Sequence, residues 1–203
     1  MGGNGDTRAA AGRPRNPQVD RKILAAALRL LRERGPLGVT IEAVAQYSGS
    51  AKATVYRRYA DRTALLRAAL DLVHGMPELS PGEPLRQRLT ELLTRFRRAV
   101  EEVVGVRSVA ALLSDVDPDF SLAFRYGVLQ PRLDVLLDAM RAGVGDGQLR
   151  ADVDLEAVVL MLAGSYFGYA AVKGEVPPNW VETVLDVIWP AIAADPGSAA
   201  TPD

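Results

Sequence analysis

The chain has 203 residues, nearly half of them hydrophobic, and a formal net charge of −1. It holds no cysteine and a single histidine, His74, which excludes a disulfide framework, a thiol nucleophile and a cysteine-built zinc site, and leaves a Ser/His/Asp constellation one possible base. Charge is unevenly spread: residues 1–75 carry 13 Lys+Arg against 6 Asp+Glu, a net of +7, and the remainder carries 11 against 19, a net of −8. A basic module that meets a polyanion, joined to an acidic body that does not, explains this asymmetry; segregation on solvated helix faces is the plainer alternative.

Residues 1–18, rich in Gly, Arg and Pro, lack periodicity and an apolar core, so they predict a disordered arm and no signal peptide. "AGRPRNP" within it suits a narrow minor groove, where Arg finds enhanced negative potential, or equally a solubilising tail. From Val19 apolar residues recur at helical spacing (Ile23, Ala26, Ala27, Leu30, Leu31) until Gly35-Pro36. Thr40 stands where its side chain caps "IEAVAQYS", and Ala43 rules out a reciprocal capping box. Gly49 ends that helix and "AKATVYRRY" begins another at once, the arrangement of a helix-turn-helix. At about 100° per residue, Val55 and Tyr59 share one stripe, with Val55 anchored against Ile41, Val44 and Leu30. Ala53, Tyr56 and Arg57 lie opposite, flanked by Lys52 and Arg58. Small side chains at the start of such a face let it approach base edges, while cations and a phenol take phosphates or guanine acceptors. A further amphipathic run, Leu65 to Val73, closes a domain spanning 19–75, and "GMPELSPGEP" reads as a linker.

Beyond it, residues 76–195 predict a second, wholly helical domain, and 196–203 a disordered tail. Leu85 to Val103 forms a long amphipathic helix, followed by a shorter one over about Val106–Val116. Asp117 caps a helix with Pro118 at its first position, and Pro131 should kink or interrupt that helix. Asp115 and Asp117 beside that proline read as caps, not as an acid–base pair, and His74 as a helix-end residue. After the connector "GDGQLRADVD", the last helices fall near Asp154–Lys173 and Asn179–Ala194. The run Ala157–Val172 falls short of the ~20 residues of a membrane span, which makes a cytoplasmic location the default. No segment alternates with period two, and the expected fold class is all-α.

The segment "TIEAVAQYSGSAKATVYRRYADRTALLRAAL" resembles the TetR family of transcriptional regulators: a Thr-led helix, a Gly turn, a Lys-x-Thr-hydrophobic-Tyr helix, then a basic residue opening the next. The resemblance covers about Val19–Val73, and "GQLRADVD" is also similar to one branch of the family. It implies an N-terminal three-helix helix-turn-helix domain, a C-terminal helical ligand-binding and dimerisation domain, and a duplex operator as partner. It further implies phosphate contacts from Thr40, Lys52, Tyr56 and Arg62, and base-facing positions at Ala51, Ala53, Thr54 and Arg57, with Arg58 flanking. The chain departs from the family at the turn, where Ser50-Ala51 replaces a hydrophobic residue and a serine and leaves Ser50 to cap.

The last helices are apolar all round, so each needs cover on both sides. One side meets the chain's own core; the other predicts a two-fold homodimer through Leu160, Gly164, Phe167, Gly168, Val184, Ile188 and Ile192, with the glycines permitting close approach. Phe96, Phe120, Phe124, Met140, Met161, Tyr166 and Phe167 are candidates for a cavity that takes a small apolar or amphipathic effector, with Arg97, Arg125 or Tyr126 as polar fixtures. No Gly-rich phosphate loop or metal-ligand spacing occurs, so no enzyme, cofactor or metal site is expected. A ligand-responsive regulator, most simply a repressor released from a palindromic operator, is the reading; a helical protein–protein adaptor is the alternative.

Overall fold

The computed structural model describes residues 16–73 and 83–194. The arm up to residue 15, His74 with most of the Pro/Gly linker, and the C-terminal tail lie outside the described residues. The first helix, α1 (Pro17–Arg34), begins two residues before Val19 because Asn16 accepts the Gln18 N–H at 3.0 Å and Pro17 occupies the first position. Gly35, with φ 74°, ends it ahead of a 3₁₀ turn at Pro36–Gly38. The next three helices are α2 (Ile41–Ser48), α3 (Lys52–Arg58) and α4 (Arg62–Asp71). Thr40 caps α2 by accepting the Ala43 N–H, and Asp61 caps α4 by accepting the Ala64 N–H. Between α2 and α3 the chain reverses at Gly49, whose φ of 64° is left-handed and strained for any side chain. Ile23, Ala27, Leu30 and Leu31 of α1 form the floor on which Val44, Val55 and Leu65 are fully buried.

In the larger part, α5 (Leu85–Arg98) runs into a π turn at Ala99–Val104 that stops at Gly105. The corner is followed by α6 (Val106–Ser114) and α7 (Pro118–Phe124), the latter capped by Asp117, which accepts the Phe120 N–H at 3.2 Å. A second π turn, Arg125–Leu129, carries α7 into α8 (Gln130–Gly145). α9 (Leu155–Lys173) and α10 (Trp180–Ile192) complete the fold. The connector before α9 makes an isolated antiparallel bridge, Leu149 to Ala193, and Gln148 accepts the Leu85 N–H, so it ties the start of α5 to the end of α10. That bridge is the one β feature among the described residues, and the fold is all-α.

The halves are fused through one continuous apolar cluster. Gly105 has φ 82°, and a Cβ there would meet the Arg32 carbonyl at 2.8 Å and its Cα at 2.9 Å, so only glycine lets the α5–α6 corner close on α1. Arg32 in turn donates to the Glu102 carbonyl at 2.8 Å.

Candidate nucleic-acid interface and effector cavity

α3 is short and carries no side-chain cap; Ser50 does not cap it, and Ala51 occupies the N-cap position. Its first-turn N–H groups therefore lack a side-chain acceptor from the protein. Val55 pins the inner face, and Ala51, Lys52, Ala53, Tyr56 and Arg57 are exposed along the outer one, with Ser50 and Thr54 half-buried beside them. Lys52 is ion-paired with Glu42 of α2 and lies 5.8 Å from the Tyr56 ring centre. Both ionised forms are favoured by that pairing: the carboxylate raises the Lys52 pKa, and the ammonium lowers that of Glu42. Thr40, half-buried at the start of α2, completes the surface.

Arg58 and Arg62, also in the expected contact set, are engaged within the protein itself. The Arg58 side chain is 8% exposed and turns inward, its Nε 2.8 Å from Asp20 of α1. Arg62 donates to the carbonyls of Val39 (2.8 Å) and Pro36 (2.6 Å) and to the Asp117 carboxylate (2.5 Å). Thr63 adds a bond to Asp119 at 3.0 Å, so the start of α4 is fastened to the cap of α7. Tyr47, which sequence reasoning passed over, is held between Arg29 and Arg34, whose guanidinium carbons lie 5.5 and 5.1 Å from its ring centre.

In the larger part, a cavity of about 450 Å³ opens between the end of α4, α5 and α8, lined by Leu72, Val73, Leu92, Ala99, Val103 and Leu136 among others. A smaller one of about 90 Å³ adjoins it, among Val100, Val104, Val109, Leu112, Leu113, Phe124, Val128, Leu129 and Phe167. Phe96, Ala99 and Arg132 line both, and both π turns contribute to the walls. Arg132 is 7% exposed and donates to the carbonyls of Val128 (2.7 Å) and Val73. Burial lowers its pKa, and no carboxylate among the described residues pairs with it.

Of the expected cavity residues, Phe96, Phe124 and Phe167 are brought together. Phe120 is buried behind Phe124, stacked at 5.4 Å, and Met140 is wholly in the core. Tyr166 sits edge-on to Phe96 at 5.9 Å and donates to Glu101 at 3.3 Å, outside both cavities; burial first, then that carboxylate, push its pKa up to about 12. Met161 is 60% exposed on the outer side of α9. Of the expected polar fixtures, Arg97 is occupied by Glu101 and the Pro177 and Pro178 carbonyls, and the cation that lines both cavities is Arg132. It escaped notice because a lone Arg after a proline carries no motif.

On α9, Leu160, Met161 and Val172 are exposed and a Cβ on Gly164 or Gly168 would meet open space, and on α10 Val187 is exposed as well. Val184 and Ile188 of α10 are half-buried. Ile192 leaves the expected interface, being 2% exposed inside its own fold, and Phe167 packs inward against Phe96. α9 is long and apolar enough, by length and composition, to cross a membrane, yet Val158, Val159, Leu162, Ala163 and Tyr166 on it are core residues.

Residues 23–69 match the family described as bacterial regulatory proteins, tetR family, and residues 79–188 match the tetracyclin repressor-like C-terminal domain. The chain belongs to the TetR family. Members of this family are DNA-binding transcriptional regulators, not enzymes. The HTH-type transcriptional regulator YdeS of Bacillus subtilis is 26% identical over 179 residues, covering 86% of this chain and 89% of YdeS. A DNA-binding transcriptional repressor TetR of Mycobacteroides abscessus is 26% identical over 161 residues, 78% of this chain and 79% of that one. Among solved structures, a transcriptional regulator of Saccharomonospora viridis in complex with choline superposes with a TM-score of 0.62 at 17% identity, over 89% of this chain and 100% of that one.

Proposed function

We propose that this TetR-family regulator is a homodimeric, cytoplasmic repressor that leaves a palindromic operator when a small apolar or amphipathic molecule enters the cavity between α4, α5 and α8. The observation that carries the reading is the position of α4. Its first turn is fastened to α7 by Arg62–Asp117, and the carbonyl of Val73, just past its end, is held by the cavity's own Arg132. α4 comes after the recognition helix α3 across a short turn, so a ligand that shifts α4 changes the spacing of two recognition helices in a dimer. The exposed surface of α9 and α10 is where a second copy would cover apolar side chains and set that spacing to one helical turn of DNA. Ala51, Lys52, Ala53, Thr54, Tyr56 and Arg57, with Thr40 and Ser50 beside them, would form the operator contact.

Selection of bound duplexes from a random DNA pool tests this directly. The expected product is an inverted repeat, retained at moderate salt and released by compounds that stabilise the free protein against heat. Absence of any sequence preference at moderate salt would leave a helical adaptor as the better description.

A further inference from the structure

A buried guanidinium without a carboxylate is costly, because burial removes its hydration and two carbonyl dipoles replace only part of it. Among the described residues Arg132 is in that position. The two carboxylates lining the larger cavity are already matched: Glu91 pairs with Arg95, and Glu102 lies 3.9 Å from Arg98. With Arg95, Arg98 and Arg132 against Glu91 and Glu102, the lining has a net charge of +1, and the uncompensated charge belongs to a residue that lines both cavities. Apart from Arg132 the smaller cavity is walled by Val, Leu, Ala and Phe side chains. A cation beside an apolar recess selects a molecule with an anionic head and an apolar body, since head and body each gain only in that orientation.

We propose that the effector is an anionic amphiphile whose head binds Arg132 and whose body fills the recess around Phe96, Val104, Phe124 and Phe167. This rests on the cavity being the protein's sensor and names the ligand class of that same cavity. It also assigns Arg132 a second task, because the group that receives the head is the group that holds the Val73 carbonyl. An oxyanion is a stronger acceptor than a peptide carbonyl, so head binding draws Arg132 off the end of α4. The choline of the Saccharomonospora viridis structure has the opposite charge, and this cavity should exclude it.

The test uses the full-length protein and simple probes below their micellar concentrations: sodium decanoate, sodium decyl sulfate, decan-1-ol, decyltrimethylammonium and choline. Calorimetry should give a dissociation constant at least about tenfold lower for decanoate or decyl sulfate than for decan-1-ol, and no binding of either cation. The better of the two anions tells a planar carboxylate head from a tetrahedral one. Arg132→Gln should lower anion affinity to that of the alcohol while leaving alcohol affinity unchanged, and Arg132→Lys should restore part of the difference. Should Arg132→Gln not fold, the wild-type ranking still decides, and Ala99→Phe, which adds a ring at a position lining both cavities, should weaken anion and alcohol alike. Equal binding of decan-1-ol or decyltrimethylammonium would overturn the head-group assignment and leave the sensor reading standing. Failure of every probe to bind would overturn it as well. Anion preference lost in Arg132→Gln, with operator affinity unmoved by any probe, would uphold the ligand class and overturn the sensor reading.

Discussion

Arg57 and Arg58 are neighbours of identical chemistry with opposite tasks. Arg57 is exposed on the outer face of α3, whereas Arg58 reaches back to Asp20 and Arg62 fastens α4 to Asp117. Arg57→Ala should change folding stability by less than about 0.5 kcal/mol and cost about 1–3 kcal/mol of operator binding at one position. Arg62→Ala leaves the buried Asp117 carboxylate without its cation and takes a donor from the Val39 and Pro36 carbonyls, so urea unfolding should show a loss of about 2–3 kcal/mol. Lys52 is already matched to Glu42, which a phosphate must displace; Lys52→Ala should flatten the salt dependence of binding by about one unit, measured by titration at several salt concentrations. Tyr166 supplies a pH signature. Its folded pKa is raised to about 12 from 10.0, so the folded state holds its proton more tightly than the unfolded one. The resulting stability is complete below pH 10 and fades as pH rises towards 12. Tyr166→Phe should remove that part of the alkaline loss, seen as a shallower fall of unfolding free energy across this window.

At the scale of elements, α9 presents two faces of different worth. Val158, Leu162 and Tyr166 are locked into the core, and Leu160, Met161, Gly164 and Gly168 lie bare. A Cβ at Gly164 meets nothing within the protomer, so alanine there should stabilise the isolated fold by up to about 1 kcal/mol through helix propensity. If Gly164 lets a second α9 approach closely, the same substitution should raise the dimer dissociation constant in sedimentation equilibrium. A dimer unaffected by Gly164→Ala places the seam elsewhere. The cavity was only partly legible. Residue type alone offered Phe96, Phe124 and Phe167, but it could not tell the outer face of α9, where Met161 is exposed, from the inner one, and Arg132, a lone cation just after a π turn, belongs to no motif.

For the whole molecule, the basic and acidic halves of the sequence share one apolar cluster, and α1 and α4 both pack on the larger part. Unfolding should therefore be a single cooperative event. Both tryptophans, Trp180 and Trp189, lie in α10, far along the chain from α3, so fluorescence and far-ultraviolet circular dichroism report different regions. Their urea transitions should coincide; separate midpoints would show halves that fold independently.

The features legible along the chain alone were local: helix limits set by Thr40 and Asp117 as caps, reversal at Gly49, the all-α class, and the outward character of Ala53, Tyr56 and Arg57. Capping and periodicity act within a few residues, so they can be read in order. Which cations are free and which are spent emerged only once the chain was packed in three dimensions. Arg62 meets Asp117 across 55 residues and Arg132 meets Val73 across 59, and no local pattern encodes such distant encounters. Whether a guanidinium seeks a phosphate, braces a helix or waits for an anion is set by what folding brings beside it, because burial and partner together fix the energy of a charge.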